Sequence, residues 1–267
     1  MSSVNLKNLD MLCSRADLAE LPAGKVLINT INAHSFNVAQ RDELFAEALT
    51  RGGYLIPDGA SIVKACRWKK AKCQPKERIS GWDLFEFEMQ RLAKENEEED
   101  LANTTKWQTE PSGASGQEAT GERRKKVMFM GSSEKVLNLI RERAAKDYPG
   151  LEIVTYSPPY KPEFSDADNR AIIAAINAAQ PNLLWIGMTA PKQEKWAYVH
   201  WEELQISCHV GTIGAVFDFY AGTVKRAPLW WQRHSLEWLY RLLREPRRMW
   251  RRYVIGNVKF LWTVARS

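Results

Sequence analysis

The chain has 267 residues with a formal net charge of +6, and 45% of them are hydrophobic, which is ample for one domain with a buried core, or for one domain and an appendage. Its four cysteines, Cys13, Cys66, Cys73 and Cys208, show no spacing typical of a metal or redox pair, and the first 21 residues lack the apolar segment of a secretory signal. These features argue against a disulfide-stapled exported protein and favour a protein of the reducing cytosol with structural cysteines.

Two predicted strands near the N-terminus each end in polar residues. The first covers residues 25–29 and leads to Thr30 and Asn32, and the second covers residues 54–56 and leads to a Pro-Asp-Gly turn that contains Asp58. Polar groups at the carboxyl ends of strands lie at the ligand-binding edge of an α/β sheet, so Thr30 and Asn32 are candidates for holding a sugar or a phosphate. Asp58 is either an ordinary turn residue or a general base that takes the proton of a hydroxyl group.

A change of composition follows the next predicted helix, for which Asp83 is the predicted N-cap. Residues 94–126 contain an acidic run and then Thr, Gln, Ser, Gly and Glu without apolar periodicity. Such a segment cannot bury enough apolar surface to fold alone, so it is predicted to be a disordered insertion. A domain boundary is disfavoured there, because strands and helices alternate again directly after it.

The next predicted strand, residues 127–130, is followed by Gly131 and Ser132 at the start of a helix. Unpaired N–H groups point outward at such a position, so these two residues form a candidate phosphate cradle. Neither GxGxxG nor GxxxxGK[ST] occurs, and neither an NAD fingerprint nor a P-loop is therefore predicted. The later Asp-Ala-Asp run is predicted to be the acidic first turn of a helix capped by Ser165, rather than a metal site.

A buried strand, residues 183–186, leads to Gly187 and to a helix that opens with Pro191, Lys192 and Gln193. Glycine and proline fix a tight backbone at this helix start, and Gln193 offers a donor and an acceptor to a sugar or a diphosphate. We therefore predict ligand contacts here, although Lys192 and the following glutamate, Glu194, could simply be surface residues.

The last predicted strand, residues 206–210, delivers Gly211 to the same edge, and Asp218 follows in an apolar run. A lone acid in such a run needs a partner or a function, because burying an unpaired charge is costly. Asp218 either binds a nucleotide or caps the local backbone.

The C-terminal segment, residues 229–267, concentrates charge and tryptophan. It holds eight Arg and one Lys against two Glu, a net charge of +7, and five of the eleven Trp. Two amphipathic helices are predicted, separated by Pro246. They are too short and too charged to span a bilayer, so the segment is expected to lie on a membrane surface or to bind phosphates. The alternative is ordinary packing of these helices on their own domain.

Several motifs in order carry a family resemblance. The run from Gly211 contains FDFYAG, KRAP, LEWLYRLL, EP and RRY, and upstream the chain has Thr-x-Asn at Thr30, Asp-Gly at Asp58, Ser-Pro-Pro-Tyr and GxxxPKQE. The sequence thereby resembles the bacterial WecG/TagA/CpsF glycosyltransferase family. The resemblance implies transfer of an N-acetylmannosamine-type sugar, or N-acetylmannosaminuronic acid, from a UDP-sugar to a polyprenyl-diphosphate-linked GlcNAc in cell-surface polysaccharide biosynthesis.

The elements together predict an α/β fold, with a Rossmann-like, mostly parallel sheet flanked by helices over residues 1–228 and a basic helical appendage over residues 229–267. We expect an inverting transfer without cofactor or metal, in which Asp58 is the base and Thr30 belongs to the catalytic group. Arg241, Arg248 and Arg251, which match the family's tail arginines, would neutralise the diphosphate leaving group. The predicted substrate-binding residues are Asn32, Gly131, Ser132, Gly187, Pro191, Lys192, Gln193, Gly211 and Asp218.

The expected partners are the UDP-sugar, the polyprenyl-diphosphate-linked acceptor and the inner face of the cell membrane, with no nucleic acid. An exposed apolar face of the tail could also drive association into a homo-oligomer. The basic tail allows two other interpretations: the protein binds nucleic acid through its phosphates, or it is a membrane-associated scaffold without catalytic activity.

Overall fold

Six parallel strands form one sheet in the part of the chain that the structure, a computed structural model, describes: residues 4–109, 124–234 and 236–266. The order across the sheet is β2-β1-β6-β5-β3-β4, and every neighbouring pair is parallel. The strands are β1 (Val26–Ile31), β2 (Tyr54–Pro57), β3 (Lys126–Gly131), β4 (Glu152–Tyr156), β5 (Leu183–Gly187) and β6 (His209–Thr212). The predicted α/β fold with a Rossmann-like sheet is confirmed.

Helices cover both faces of this sheet, which explains why its central strands read as continuous apolar runs. All five residues of β5 are buried. The helices of the α/β part are α1 (Ala33–Ala39), α2 (Glu43–Arg51), α3 (Ala60–Trp68), α4 (Gly81–Thr109), α5 (Glu134–Asp147), α6 (Asp166–Ala179), α7 (Lys192–Val199) and α8 (Gly214–Tyr220). Helices α4, α5 and α8 pack on one face, and α6 and α7 pack on the other. The predicted Ser165 cap of α6 is confirmed, since its side chain accepts the N–H of Asp168.

Helix α4 differs from its prediction at both ends. Ser80 occupies the capping position that was expected for Asp83: its hydroxyl accepts the N–H of Asp83 at 3.3 Å, while the Asp83 carboxylate accepts the N–H of Ser80 at 2.7 Å. Two side chains thus cap the helix reciprocally, and Asp83 lies one turn inside it.

Residues 94–109, expected to be disordered, instead continue helix α4, so that part of the prediction is wrong. The acidic run gains support from ion pairs one turn apart, such as Lys94 with Glu98. Asn96 is buried, and its side-chain oxygen accepts the N–H of Lys125 at 2.7 Å, which ties the helix to the start of β3. The rest of the expected insertion up to residue 123 lies outside the described residues, and for residues 103–109 only the backbone is described.

The C-terminal segment folds into α9 (Leu229–Arg233), α10 (Glu237–Arg244), α11 (Pro246–Trp250), one turn of π-helix (Arg251–Ile255) and α12 (Gly256–Arg266). Helix α12 returns to the α/β part: Phe260 is fully buried and meets Phe36 of α1 edge to face, with ring centroids 5.3 Å apart. Asn37 of α1 donates to the carbonyl of Gly256 at 2.7 Å. None of the described helices combines the length and the apolarity that crossing a membrane requires.

Candidate active site

Asp58 lies directly beyond the carboxyl end of β2, where the backbone is fixed from two sides. Its N–H donates to the carbonyl of Ile31 in β1 at 2.8 Å, and the carbonyl of the preceding Pro57 accepts the N–H of Ile79 at 3.0 Å. Strand β1 and the loop before α4 therefore hold Asp58 at a defined place on the sheet edge.

The charge state of Asp58 is set by opposing effects. Burial raises the pKa of its carboxyl group, the guanidinium groups of Arg78 and Arg241 lower it, and the carboxylates of Glu237 and Asp83 raise it again. Desolvation is the largest of these effects, and the resulting pKa is above the ordinary value of an aspartate. A raised pKa makes an ionised carboxylate a stronger proton acceptor, which suits a general base.

Thr30 and Asn32 come together with Asp58, as the sequence predicts. Thr30 is level with Ile56 across β1 and β2, and Asp58 is two residues beyond Ile56, so the two residues lie at the same end of adjacent strands. Asn32 caps α1, where its side-chain oxygen accepts the N–H groups of His34 and Ser35, each at 3.0 Å. A Cβ atom at Gly59 would lie 3.7 Å from the Cβ of Asn32, which places Asn32 beside the Asp-Gly turn.

The tail reaches this site through α10. Arg241 is close enough for its charge to lower the pKa of Asp58, and its guanidinium lies 4.7 Å from the ring centroid of Phe219 on α8. Arg251 is exposed in the turn of π-helix. The side chain of Arg248 lies outside the described residues, so its predicted role stays a prediction.

A second cluster lies at the carboxyl ends of β3 and β5. The chain leaves β3 toward β4 and leaves β5 toward β6, in opposite directions, and open α/β sheets bind ligands where such a reversal occurs. Gly131 and Gly187 are paired there, and a Cβ atom at Gly131, whose φ is +123°, would lie 2.3 Å from the carbonyl oxygen of Gly187. Ser132 also has a positive φ of 58°, and its carbonyl accepts the hydroxyl of Ser157 at 2.9 Å.

The two clusters are separated rather than merged. Strands β1 and β3 are three positions apart in the sheet, which corresponds to about 15 Å at the usual spacing of parallel strands. The loops after β5 and β6 lie between them.

Gln193 ties these intervening loops to each other. Its side-chain oxygen accepts the N–H of Met188 at 3.1 Å and the N–H of Gly214 at 3.2 Å, and its amide nitrogen donates to Glu194 at 2.9 Å. The side chain is buried, with 4% exposure, so its hydrogen bonds are made within the protein. It holds the loops in place, and a direct contact with a ligand stays a prediction.

Two predicted site glycines have a packing explanation. A Cβ atom at Gly187 would lie 2.5 Å from the ring of Phe217, and one at Gly211 would lie 2.3 Å from the ring of Trp185. Both rings are fully buried beneath the binding edge. The missing side chains therefore leave room for aromatic rings of the core.

The other predicted contacts face local partners. Pro191 precedes α7 and follows a cis peptide bond, and the ammonium group of Lys192 donates to the carbonyl of Lys161 at 2.6 Å. Burial lowers the pKa of Lys192. Asp218 on α8 is half-buried and accepts a hydrogen bond from the hydroxyl of Thr223 at 3.3 Å. This contact fits a local capping role, which was one of the two interpretations of Asp218, the other being nucleotide binding.

Glu194 is a buried carboxyl group that the sequence suggested could be a surface residue. Its exposure is 1%, and its second oxygen has no hydrogen-bond partner in the described part of the chain. Burial raises the pKa of this group to about 7, while the hydrogen bond from Gln193 acts against that rise. Acidic residues in a first helical turn usually face solvent, so no signal in the sequence marks Glu194 as buried.

Three charged residues near the site were also missed, and two of them, Arg78 and Glu237, act on the charge of Asp58. Arg78 precedes α4, Arg226 belongs to the KRAP run, and Glu237 opens α10; the carboxylate of Glu237 pairs with both arginines. Arg226 could have been suspected from its motif, whereas the pair of Arg78 and Glu237 joins positions 159 residues apart and leaves no local pattern.

Among the residues that the structure describes, no group of three or more His, Cys, Asp or Glu side chains is arranged to hold a metal ion. The expectation of a metal-independent reaction stays a prediction, which rests on the arginines beside Asp58.

Comparison with known proteins gives a consistent result. The profile of the "Glycosyl transferase WecG/TagA/CpsF family" matches residues 3–101 and 116–267. Proteins named N-acetylglucosaminyldiphosphoundecaprenol N-acetyl-beta-D-mannosaminyltransferase are similar to this chain. The one from Bacillus subtilis (strain 168) is 26% identical over 242 residues, covering 90% of this chain and 79% of the relative.

Two further relatives carry the same name. The Bacillus spizizenii protein is 28% identical over 214 residues, covering 80% of this chain and 69% of the relative, and the one from Staphylococcus aureus (strain MW2) is 24% identical over 254 residues, covering 93% and 83%. The family profile spans nearly the whole chain, including Asp58, the GxxxPKQE loop and the tail. The resemblance read from the sequence is confirmed, and the chain belongs to the WecG/TagA/CpsF family of glycosyltransferases.

Proposed function

We propose that this glycosyltransferase moves an N-acetylmannosamine-type sugar from a UDP-sugar to a polyprenyl-diphosphate-linked GlcNAc, as a step in cell-surface polysaccharide synthesis. The names of the relatives support the transferred sugar and the acceptor, and the UDP donor is our inference from the family resemblance. The observation that carries the proposal is Asp58, held beyond β2 with its pKa raised and with Arg78 and Arg241 beside it.

In the proposed reaction, a hydroxyl oxygen of the acceptor sugar attacks the anomeric carbon of the donor. The bond from that carbon to the β-phosphate oxygen breaks, and UDP leaves with the electron pair. Asp58 accepts the proton of the attacking hydroxyl, so the new bond forms without a high-energy oxonium species. Attack from the face opposite the leaving group inverts the anomeric configuration.

The departing diphosphate carries negative charge that must be stabilised. Guanidinium groups match phosphate oxygens in geometry and charge, and they are most effective in a site with little water. Arg241 is positioned beside the base by α10. We propose that such arginines, rather than a metal ion, stabilise the leaving group.

The tail provides a surface for docking at the inner face of the cell membrane. Most of the exposed large apolar side chains of the described residues lie in it, and they include Trp230, Trp238, Leu243, Trp250, Val258 and Trp262. Tryptophan and arginine together are typical of segments that lie at a lipid interface. Docking there would bring the site to an acceptor that is itself anchored in the membrane.

The direct test is sugar transfer by the purified full-length protein. A short-prenyl diphosphate-linked GlcNAc would be offered with a panel of UDP-sugars, comprising N-acetylmannosamine, N-acetylmannosaminuronic acid, N-acetylglucosamine and glucose donors, with and without a chelator. We expect product from a mannosamine-type donor, of inverted configuration and unaffected by chelation. Absence of product from every donor would contradict the proposal, and product that disappears with chelator would contradict its metal-independent form.

A further inference from the structure

A carboxylate from the tail is clamped between two arginines of the α/β part. Arg78 donates through Nη1 to Oε2 of Glu237, and Nε of Arg226 lies 3.4 Å from Oε1 of the same side chain. All three side chains are largely buried, with exposures of 17%, 22% and 20% for Arg78, Arg226 and Glu237. Trp82 supports Arg226 from below, with the guanidinium 5.0 Å from its ring centroid.

This arrangement is a preformed anion site. Two guanidinium groups converge on the two oxygens of one anion, which is the geometry in which arginine recognises carboxylates and phosphates. The anion now in place belongs to the protein itself. The site lies beside the base, since the charges of both Arg78 and Glu237 act on Asp58.

We propose that Arg78 and Arg226 form a binding site for the diphosphate of a substrate, and that Glu237 is a resident anion which the diphosphate displaces. The inference deepens the proposed function and rests on it for the identity of the ligand. The three side chains of the clamp carry a net charge of +1, because one carboxylate faces two guanidinium groups. A diphosphate that is esterified at both ends carries two negative charges and matches the pair.

The resident carboxylate can be displaced at small cost. No residue of α10, which the structure describes throughout, is fully buried, so Glu237 is not anchored by a core beneath its helix. A partly buried ion pair repays the desolvation of its charges only in part, whereas a dianion gains more from the same two arginines. Displacement would release the first turn of α10 from Arg78 while the ligand takes its place.

Two substrates of the proposed reaction carry this chemistry, namely the sugar nucleotide and the prenyl-diphosphate-linked acceptor. Both substrates contain a diphosphate that the two arginines could bind, so an experiment must decide which of them occupies the site. UDP serves as the probe for the donor, UMP as its counterpart without the second phosphate, and a short-prenyl diphosphate-linked GlcNAc as the probe for the acceptor.

The test measures dissociation constants of these probes by calorimetry, for the full-length wild-type protein and for the variants Glu237→Gln and Arg226→Gln. Removing the resident anion should tighten binding of the diphosphate probe by about tenfold, and removing one arginine should weaken it by about tenfold. UMP, which has a single phosphate group, should respond less than UDP to either change. Glu142→Gln and Arg233→Gln, at exposed positions, are the matched controls.

The outcomes separate the alternatives. Opposite responses of UDP in the two variants assign the site to the donor, and the same pattern confined to the prenyl probe assigns it to the acceptor. If Glu237→Gln weakens binding or leaves it unchanged while the thermal melt matches the wild type, Glu237 only docks the tail and the proposal is overturned. Should that variant not fold, unchanged affinities in Arg226→Gln overturn it equally.

This readout does not depend on turnover. Responses as predicted in a protein that transfers no sugar would refute the transfer and leave the anion site standing. Transfer with unaltered affinities in both variants would refute the site and leave the transfer standing.

Discussion

Asp58 and Glu194 are two carboxyl groups with raised pKa at the same edge of the sheet, yet their surroundings suit them to different work. Asp58 is half-buried and faces the arginines of the site. Glu194 is fully buried, bonded to Gln193 through one oxygen, and has no partner for the other in the described residues. Asp58 can therefore reach a substrate proton, whereas ionisation of Glu194 affects mainly the stability of the loops that Gln193 holds.

The pH dependence of stability should reveal Glu194. Its pKa is about 7 in the folded protein against an ordinary value of 4.5, so the folded state binds the proton more tightly than the unfolded chain. The stabilisation from this proton is complete below pH 4.5 and is lost as the pH rises through 7, a fall of about 3 kcal/mol in the free energy of unfolding. Glu194→Gln should remove this fall, as measured by urea unfolding between pH 4.5 and 8.

The comparison requires a control for the other acids of the protein. Glu142→Gln, at an exposed position of α5, should keep the wild-type pH profile. If Glu194→Gln and the wild type lose stability in parallel as the pH rises, the carboxyl group is not held neutral in the folded protein.

Sequence patterns predicted that Thr30, Asn32 and Asp58 lie together, but they did not predict the packing beneath the sheet edge. Thr30 lies near the end of β1, and Asn32 and Asp58 directly follow β1 and β2. Strand ends of a parallel sheet meet at one edge, so local pattern is sufficient to bring these residues together. Gly187 and Gly211 were read as ligand contacts because they follow the same rule. The aromatic rings that occupy the space next to these glycines belong to residues far away in the sequence, so no sequence spacing predicts such a contact.

The strands and most helices could be predicted from apolar runs and helix caps in the sequence. The order of the strands could not, because β6 inserts between β1 and β5 through contacts that join opposite ends of the chain. The extension of α4 was missed for a related reason. The acidic half of α4 lacks apolar periodicity. Ion pairs between neighbouring charges support it, as does the hydrogen bond from the N–H of Lys125, near the far end of the expected insertion, to Asn96.

The tail is the element whose surface is most unusual, and this leads to a prediction about lipid binding. Trp250 and Trp262 are 51% and 56% exposed, so replacing them should not disturb the core. We expect the double variant Trp250→Ala/Trp262→Ala to bind anionic vesicles about tenfold more weakly in a sedimentation assay, because both indoles are lost from the interface. Trp68→Ala, on α3 and 58% exposed, is the matched control.

Equal binding of the double variant and the wild type would mean that the tryptophans are not at the lipid surface. A fall in melting temperature that matches the loss of vesicle binding would indicate a packing role instead.

On the scale of the whole molecule, the binding edge is long. The group around Asp58 at the ends of β1 and β2 and the cluster around Gly131 at the ends of β3 and β5 lie about 15 Å apart, with the loops held by Gln193 between them. An edge of this length suits an extended ligand with its reacting sugar at one end. Helix α10 places Arg241 and Glu237 near Asp58, and α12 anchors the tail to α1 by burying Phe260.

The proposed role of Asp58 as the base of a sugar transfer is tested most directly by the turnover number of Asp58→Asn with the donor that the wild type uses. Asparagine keeps the shape of the side chain but cannot accept the proton, so turnover should fall by about a hundredfold or more. Asp166→Asn, exposed in the first turn of α6, should turn over like the wild type. Turnover of Asp58→Asn within a few-fold of the wild type would contradict the assignment of the base.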